Sequence, residues 1–363
     1  MNKEHPFELR GGKLINISPR YSNFLLNYQL MSSAPKQTND LNLLTPDQYL
    51  RDSCPEEITN PNCANSALAS SGFVVLKQLI DKRQISKLRD AFYLNIIPSK
   101  SKFGRIYTYR GLQSNNISEQ GHLLNPLSNP QLESEKNNSK EENSFIRNVI
   151  NLIAYGPHIP VIKKATGHAH IRLLTWNLFH VVEPFTPPHQ DCIFFNSYLS
   201  LFDLLGVWIA LEDIPAGASP LYLQRYSHTN LAEFAKKHES ISPEYTSELA
   251  ENLLNNKNQI IAPSLQAGDC IIWDSRTVHG SLLRTDLEAT RLSITAHFEP
   301  ERTSFLSKLQ KFESSQYRNL SKRRLLDLQD IKKITLDNDL TVRVHRSRVN
   351  YFNELLTTES DNL

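Results

Sequence analysis

Cysteine is scarce in this chain, four residues in 363. Cys54, Cys63, Cys192 and Cys270 form no CxxC, which argues against a structural zinc site built on thiolates; so few thiols in so long a chain fit a reducing compartment. Glycine is scarce too, at 12 residues, which excludes collagen-like and glycine-linker architectures. An excess of one charge is missing: 40 Lys and Arg stand against 38 Asp and Glu, a net of +2. That balance argues against a protein that holds nucleic acid or an anionic membrane by bulk charge. No apolar run approaches the length of a membrane span. The opening MNKEHPFELRGGK has no apolar h-region, and the closing SDNL matches no retention, peroxisomal or prenylation signal. The expectation is a soluble, cytoplasmic, monomeric protein with neither a nucleic-acid nor a membrane partner.

What is present is core material. Hydrophobic residues make up 39%, with 16 Phe, 13 Tyr and 3 Trp, enough for a sizeable interior. At roughly 150 residues per domain the length allows about two domains, but the texture points to one body with two extensions. Residues 1–68 are rich in Asn, Pro and Ser and read as an arm packed on the core. At Gly72 the pattern changes: Phe73-Val74-Val75-Leu76 is β-prone, Asp81 with Gln84 resembles a helix cap, and Ile85, Leu88 and Phe92 follow at helical spacing. Residues 113–144 read as a solvated loop and 145–164 as a helix. From Arg172 onward short β runs with turn punctuation dominate: 172–183, 205–211, 221–223, 260–261, 270–273 and 291–298, interrupted by a helical insertion near 230–256. This pattern predicts a mainly β protein with flanking helices, its core an antiparallel double sheet, jelly roll or barrel spanning 69–300. Residues 301–363 turn basic and read as a helical extension.

Three segments carry chemistry. His189-Gln190-Asp191 places an imidazole and a carboxylate two residues apart, which on a strand puts both on one face. Those are two of the three ligands of a two-His-one-carboxylate iron site, the kind that leaves metal positions open for substrates. Two similar pairs, His168 with His170 and His297-Phe298-Glu299, read as structural. Turn, buried strand and turn in GDCIIWDSRTVHGS then lead to His279, a candidate third ligand. Twelve residues on, Arg291 opens the next β run with Ser293 on its face. A guanidinium beside such a site suits a dicarboxylate, because its planar fork binds a carboxylate bidentately.

In the order and spacing of these motifs the chain resembles the phytanoyl-CoA dioxygenase family of Fe(II)- and 2-oxoglutarate-dependent oxygenases. The resemblance runs through SGFVVLKQLIDKRQISKLRDAF, PPHQD, GVWIALEDIPAGASPLYLQRYSH, AGDCIIWDSRTVHGS and TRLSITAHF, roughly residues 69–300. It implies a double-stranded β-helix, a cupin-like jelly roll. It implies Fe(II) held by His189, Asp191 and His279, and 2-oxoglutarate and O2 as cosubstrates. The distal carboxylate of 2-oxoglutarate falls to Arg291 with help from Ser281. Trp208 and Asn177 are implied as further contacts, with Thr186 and Ser293 behind them. The reaction implied couples oxidative decarboxylation to succinate and CO2 with oxidation of an unactivated C–H bond of a small molecule, hydroxylation being the default. Because Asp191 keeps its carboxylate, halogenation is disfavoured.

The chain departs from the family where a Pro-Gly-Ser-His turn has become Gln224-Arg225-Tyr226-Ser227-His228. Arg225, with Arg110 and Tyr107 of the RIYTYR cluster and Arg276 ahead of His279, is a candidate for gripping an anionic substrate group. A carboxylate-bearing metabolite is therefore expected. The same chemistry also allows oxidative ring closure or desaturation of an amino-acid-derived precursor. A non-catalytic jelly-roll module and a protein or nucleic-acid demethylase are the alternatives of other classes; the intact triad opposes the first and the charge balance the second.

Overall fold

The computed structural model describes residues 44–99, 102–103, 113–114, 117–183, 185–194, 204–238, 243–301 and 330–350. The near-continuous apolar runs become strands buried along almost their whole length: β1 (Phe73–Leu76), β2 (Ile171–Phe179) and β3 (Leu205–Ala210). They are followed by β4 (Leu221–Gln224), β5 (Ile260–Pro263), β6 (Cys270–Asp274), β7 (His279–Ser281) and β8 (Ser293–Pro300). β9 (Ile331–Thr335) and β10 (Leu340–His345) close the series. The main sheet runs β9-β10-β2-β8-β3-β6-β1 and ends on the two-residue strand Glu57–Ile58. The smaller sheet runs from Leu50–Arg51 through β5 and β4 to β7.

Strand alternation assigns the faces. Val207 and Ile209 of β3, with Ile294, Ala296 and Phe298 of β8, join an outer core beneath helices. Trp208, Ala210, Ile271, Trp273, Phe73 and Val75 point the other way and meet Leu221, Leu223 and Ile261 of the smaller sheet. Two sheets packed on this inner layer make the mainly β, double-stranded β-helix architecture. The longer helices are α1 (Ala64–Ser71), α2 (Lys82–Ala91), α3 (Lys140–Tyr155), α4 (His158–Thr166) and α5 (Pro243–Asn255). Asp81 caps α2 by accepting from the amides of Arg83 and Gln84, and Ser139 with Glu142 forms a capping box on α3. Tyr245, Leu249 and Leu253 of α5 cover the outer face of the smaller sheet against Tyr222 and Ala262.

The structure differs from the sequence expectation in four places. Within 113–144, read as a solvated loop, Leu127–Ser128 pairs antiparallel with β2 and α3 begins at Lys140. The single helix expected over 145–164 is two, α3 and α4, because Gly156-Pro157 separates them. Residues from 50 to 58 are more than an arm: Leu50–Arg51 pairs parallel with β5 and Glu57–Ile58 parallel with β1. Within the extension expected to be helical, residues 331–345 form the hairpin β9–β10, and β10 pairs parallel with β2. Alternation explains it: Leu340, Val342 and Val344 are buried in the outer core, a period of two that a helix cannot bury on one face. Among the described residues no helix is long and apolar enough to cross a membrane.

Two histidines are built into this fold in the neutral state. His158 is fully buried, donates from Nε2 to the Ile153 carbonyl at 3.0 Å, and is pushed down to about 4 by burial. His180 is pushed to about 4 by burial, aided by His122 and Arg284. An unfolded histidine titrates near 6.5, so between about pH 6.5 and 4 the unfolded chain binds protons that the folded chain does not. Stability therefore falls as pH drops through that window. We expect a lower urea midpoint at pH 5 than at pH 7, with a smaller drop in His158→Asn; a flat profile in the parent protein would contradict the burial argument.

Candidate metal centre

The smaller sheet ends on β7, which carries His279. His189 and His279 form an antiparallel bridge, His189 N–H to the His279 carbonyl at 2.9 Å and the reverse at 3.0 Å. Direct pairing sets the rings side by side, with centroids 4.2 Å apart. Asp191 does not continue as a strand, as the HxD spacing suggested; it opens a one-turn helix, Asp191–Phe194. The turn swings its carboxylate back under the bridge, so that Oδ1 lies 3.8 Å from His189 Nε2 and 3.7 Å from His279 Nε2. One ligand atom from each of the three lies within 4.8 Å of the others.

The donors are preset. His189 Nδ1 donates to the Pro187 carbonyl at 2.8 Å and His279 Nδ1 to the Thr277 carbonyl at 3.0 Å. Each bond fixes the tautomer that turns a bare Nε2 toward Asp191, the usual arrangement behind a metal-bound imidazole. Burial, then the neighbouring His279, pushes His189 down to about 3; burial also lowers His279. Burial alone would raise Asp191, but His297, His279 and His189 outweigh it and hold its carboxyl below the usual range. Two neutral imidazoles and one carboxylate fit a divalent iron.

Gly280, between His279 and Ser281, has no room for a side chain: a Cβ there would lie 2.7 Å from the Thr186 carbonyl oxygen and 2.8 Å from the Tyr222 hydroxyl. Ser281 shares the inward face with His279. Its Oγ accepts from the Thr186 amide at 2.6 Å and lies 2.8 Å from Ser219 Oγ. Ser219, in the left-handed region at φ 62°, turns its carbonyl to Arg291, which donates from Nη1 at 2.5 Å. Ser281 and Arg291 are thus brought together through Ser219. Arg291 is buried, burial pushes it down to about 10, and Nε lacks a hydrogen-bond partner. Among the described residues no carboxylate pairs with it. Ser293 Oγ and the Trp208 indole N–H are buried without partners as well. A buried cation and unsatisfied donors facing inward are costly, and a small dicarboxylate is the complement they lack. Asn177 faces the same layer on β2, opposite Thr295 in register, and its Oδ1 accepts from Ser128 at 2.6 Å.

Two of the arginines expected to grip substrate are paired with acids. Arg225 is spent on Glu56, Nε to Oε1 at 2.6 Å and Nη2 to Oε2 at 2.7 Å, with Glu56 buried. This bidentate pair ties residues before β1 to the end of β4. Arg276 turns onto Asp274, Nε to Oδ1 at 2.7 Å and Nη2 to Oδ2 at 2.5 Å. Arg110 and Tyr107 lie outside the described residues. In the other direction, His297, read as structural, has Nε2 3.1 Å from Asp191 Oδ2. The signal was parity: residues 293, 295 and 297 share one face of β8, and Arg291 precedes them at the same spacing of two.

A family model described as Phytanoyl-CoA dioxygenase (PhyH) matches residues 68–286. The chain belongs to this family. It is an Fe(II)- and 2-oxoglutarate-dependent oxygenase, using O2, of a family whose enzymes act on small molecules. No curated protein matches it. Among solved structures, similarity is found to the alpha-ketoglutarate-dependent epimerase SnoN of nogalamycin biosynthesis, at 19% identity over 66% of this chain and 83% of that one, TM-score 0.44. The carbocyclase SnoK of the same biosynthesis is similar at 15% identity over 68% and 89%, TM-score 0.45. EctD from S. alaskensis is similar at 13% over 71% and 82%, TM-score 0.45.

The Arg225–Glu56 pair separates a structural from a substrate role. Arg225→Ala leaves a buried carboxylate without its partner, and we expect a loss of about 3 kcal/mol in urea unfolding with little change in KM for the organic substrate. A raised KM at unchanged stability would return Arg225 to the substrate site.

Proposed function

We propose that His189, Asp191 and His279 hold the iron and that Arg291, with Ser281, binds the distal carboxylate of 2-oxoglutarate. The observation that carries this reading is the pairing of opposites: two bare Nε2 atoms and one carboxylate oxygen converge within 4.8 Å, while a buried guanidinium nearby has no acidic partner among the described residues. The chemistry that bound iron supplies is oxidative decarboxylation of 2-oxoglutarate by O2, coupled to oxidation of a substrate C–H bond, with succinate and CO2 as co-products. The protein's own part is placement. Pro187 and Thr277 carbonyls keep the two imidazoles facing inward. Arg291 and Ser281 would orient the cosubstrate, while Trp208 walls its pocket and Asn177 lies along the same face. The apolar inner layer around Trp208, Ile271 and Leu223 excludes water.

The substrate we infer is a small polar metabolite bearing a carboxylate, with hydroxylation as the outcome and ring closure or desaturation as the second reading. Thr175, Asn177 and Thr295 share the inward face of β2 and β8 with His297, a hydroxyl and amide lining that favours a hydrogen-bonding substrate over a plain acyl chain. With Arg225 and Arg276 paired to acids, Arg110 and Tyr107, outside the described residues, are the sequence-read residues left to meet the substrate carboxylate.

The test is an anaerobic addition of Fe(II) and 2-oxoglutarate, then O2 with a panel of small carboxylates, scored by succinate release coupled to substrate loss. Asp191→Ala and His279→Ala should abolish iron-dependent succinate formation. Arg291→Gln should raise KM for 2-oxoglutarate at least about 30-fold, the cost of truncating one partner of a buried charge pair. Succinate formation that survives His279→Ala would overturn the ligand assignment.

A further inference from the structure

Asp191 has two oxygens, and only Oδ1 faces the histidine pair. Oδ2 is held from behind. The Trp273 indole donates from Nε1 to it at 2.7 Å, and His297 Nε2 lies 3.1 Å from it. Neither contact is incidental to the sheet. His297 on β8, Gly206 on β3 and Trp273 on β6 are partners in register across three adjacent strands. They form one row, with the glycine in the middle. The indole lies across that glycine: a Cβ at Gly206 would stand 2.1 Å from Trp273 Cε2 and 2.5 Å from its Nε1. The two flanking rings therefore close over the gap edge to face, with centroids 6.2 Å apart and planes at 88°. The pairing of β8 with β2 shifts register between His297 and Phe298, a bulge that re-aims the side chain beside it.

We propose that this His297–Gly206–Trp273 row is a carboxylate clamp, with His297 and Trp273 as positioning residues that hold Asp191 Oδ2 and leave Oδ1 as the sole ligand oxygen. A carboxylate free to rotate can offer a metal one oxygen or both. An oxygen tied to an indole N–H, which can only donate, with an imidazole nitrogen 3.1 Å away on the same side, is turned from the metal. An iron held by these three residues would then meet a single oxygen of Asp191 and would keep room for 2-oxoglutarate and O2. Gly206 belongs to the clamp by what it lacks: any side chain there pushes the indole off the carboxylate. The proposal rests on the ligand assignment above.

The full-length apoprotein is titrated anaerobically with Fe(II) against a chromophoric chelator, and with Co(II) followed by its visible absorption, which reports ligand number and geometry. Trp273→Phe, Gly206→Ala and His297→Leu should each weaken Fe(II) at least about tenfold, the usual cost of removing a group behind a metal ligand, and should alter the Co(II) spectrum. His297→Gln, which keeps an N–H donor at the same reach, should recover most of the affinity. Thermal melts identify the variants that fold; should His297→Leu fail to fold, Trp273→Phe and the Gln variant carry the comparison. Folded Trp273→Phe and His297 variants with parental Fe(II) affinity and Co(II) spectrum would overturn the clamp. Asp191→Ala separates the two layers: iron lost there but retained in the clamp variants rejects the clamp alone, whereas iron retained in Asp191→Ala rejects the ligand assignment beneath it.

Discussion

A carboxylate taken out of water must be compensated where it lies, and Asp191 is compensated from every side. Two histidines face Oδ1, and an indole N–H and a third histidine face Oδ2. These partners come from the loop before Asp191, from β7, from β6 and from β8, so that both sheets meet at this one side chain. The packing of the two sheets, the His189–His279 bridge and the missing side chain at Gly206 are conditions for keeping the charge there. Burial raises the Asp191 carboxyl, the histidines around it lower it, and the lowering wins.

The complementary charge stands a short chain of contacts away. Ser281 follows His279 by two residues, Ser219 bonds Ser281, and the Ser219 carbonyl takes one arm of Arg291. An anion enclosed by imidazoles and a cation without an acidic partner among the described residues share one layer between the sheets. The first suits a divalent metal and the second a dicarboxylate. An interior with both is the complement of the two ligands proposed above, a divalent metal and a dicarboxylate.

Much of this was legible in the sequence because the information is local. The HxD pair, His279 in its turn-strand-turn frame, and Arg291 opening a β run are read within a dozen residues. The apolar runs gave strands β1, β3 and β6, and Asp81 gave the start of α2. What escaped depends on pairing across strands. His297 looked like a structural histidine because nothing within its own segment places it opposite Gly206 and Trp273. Arg225 looked like a substrate clamp because Glu56, 169 residues earlier, is invisible from its neighbours. The C-terminal hairpin was hidden by a basic composition, while its alternating Leu340, Val342 and Val344 carried the actual signal.

That hairpin also sets an order of events. β10 lies against β2 in parallel, joining Leu340 to Ile171 and Thr341 to Arg172, and its apolar side chains sit in the same core as Val74. The outer core is therefore finished by residues that leave the ribosome about 170 positions after the strand they pair with. Parallel pairing at such separation is slow, because the loop must be closed before the contact rewards it. Until Leu340 and Thr341 have docked, the Ile171–Arg172 end of β2 presents an open edge, while Leu127 and Ser128 pair with its other end, so a nascent chain of this protein passes through a long interval in which its sheet is incomplete and prone to pair with the wrong neighbour.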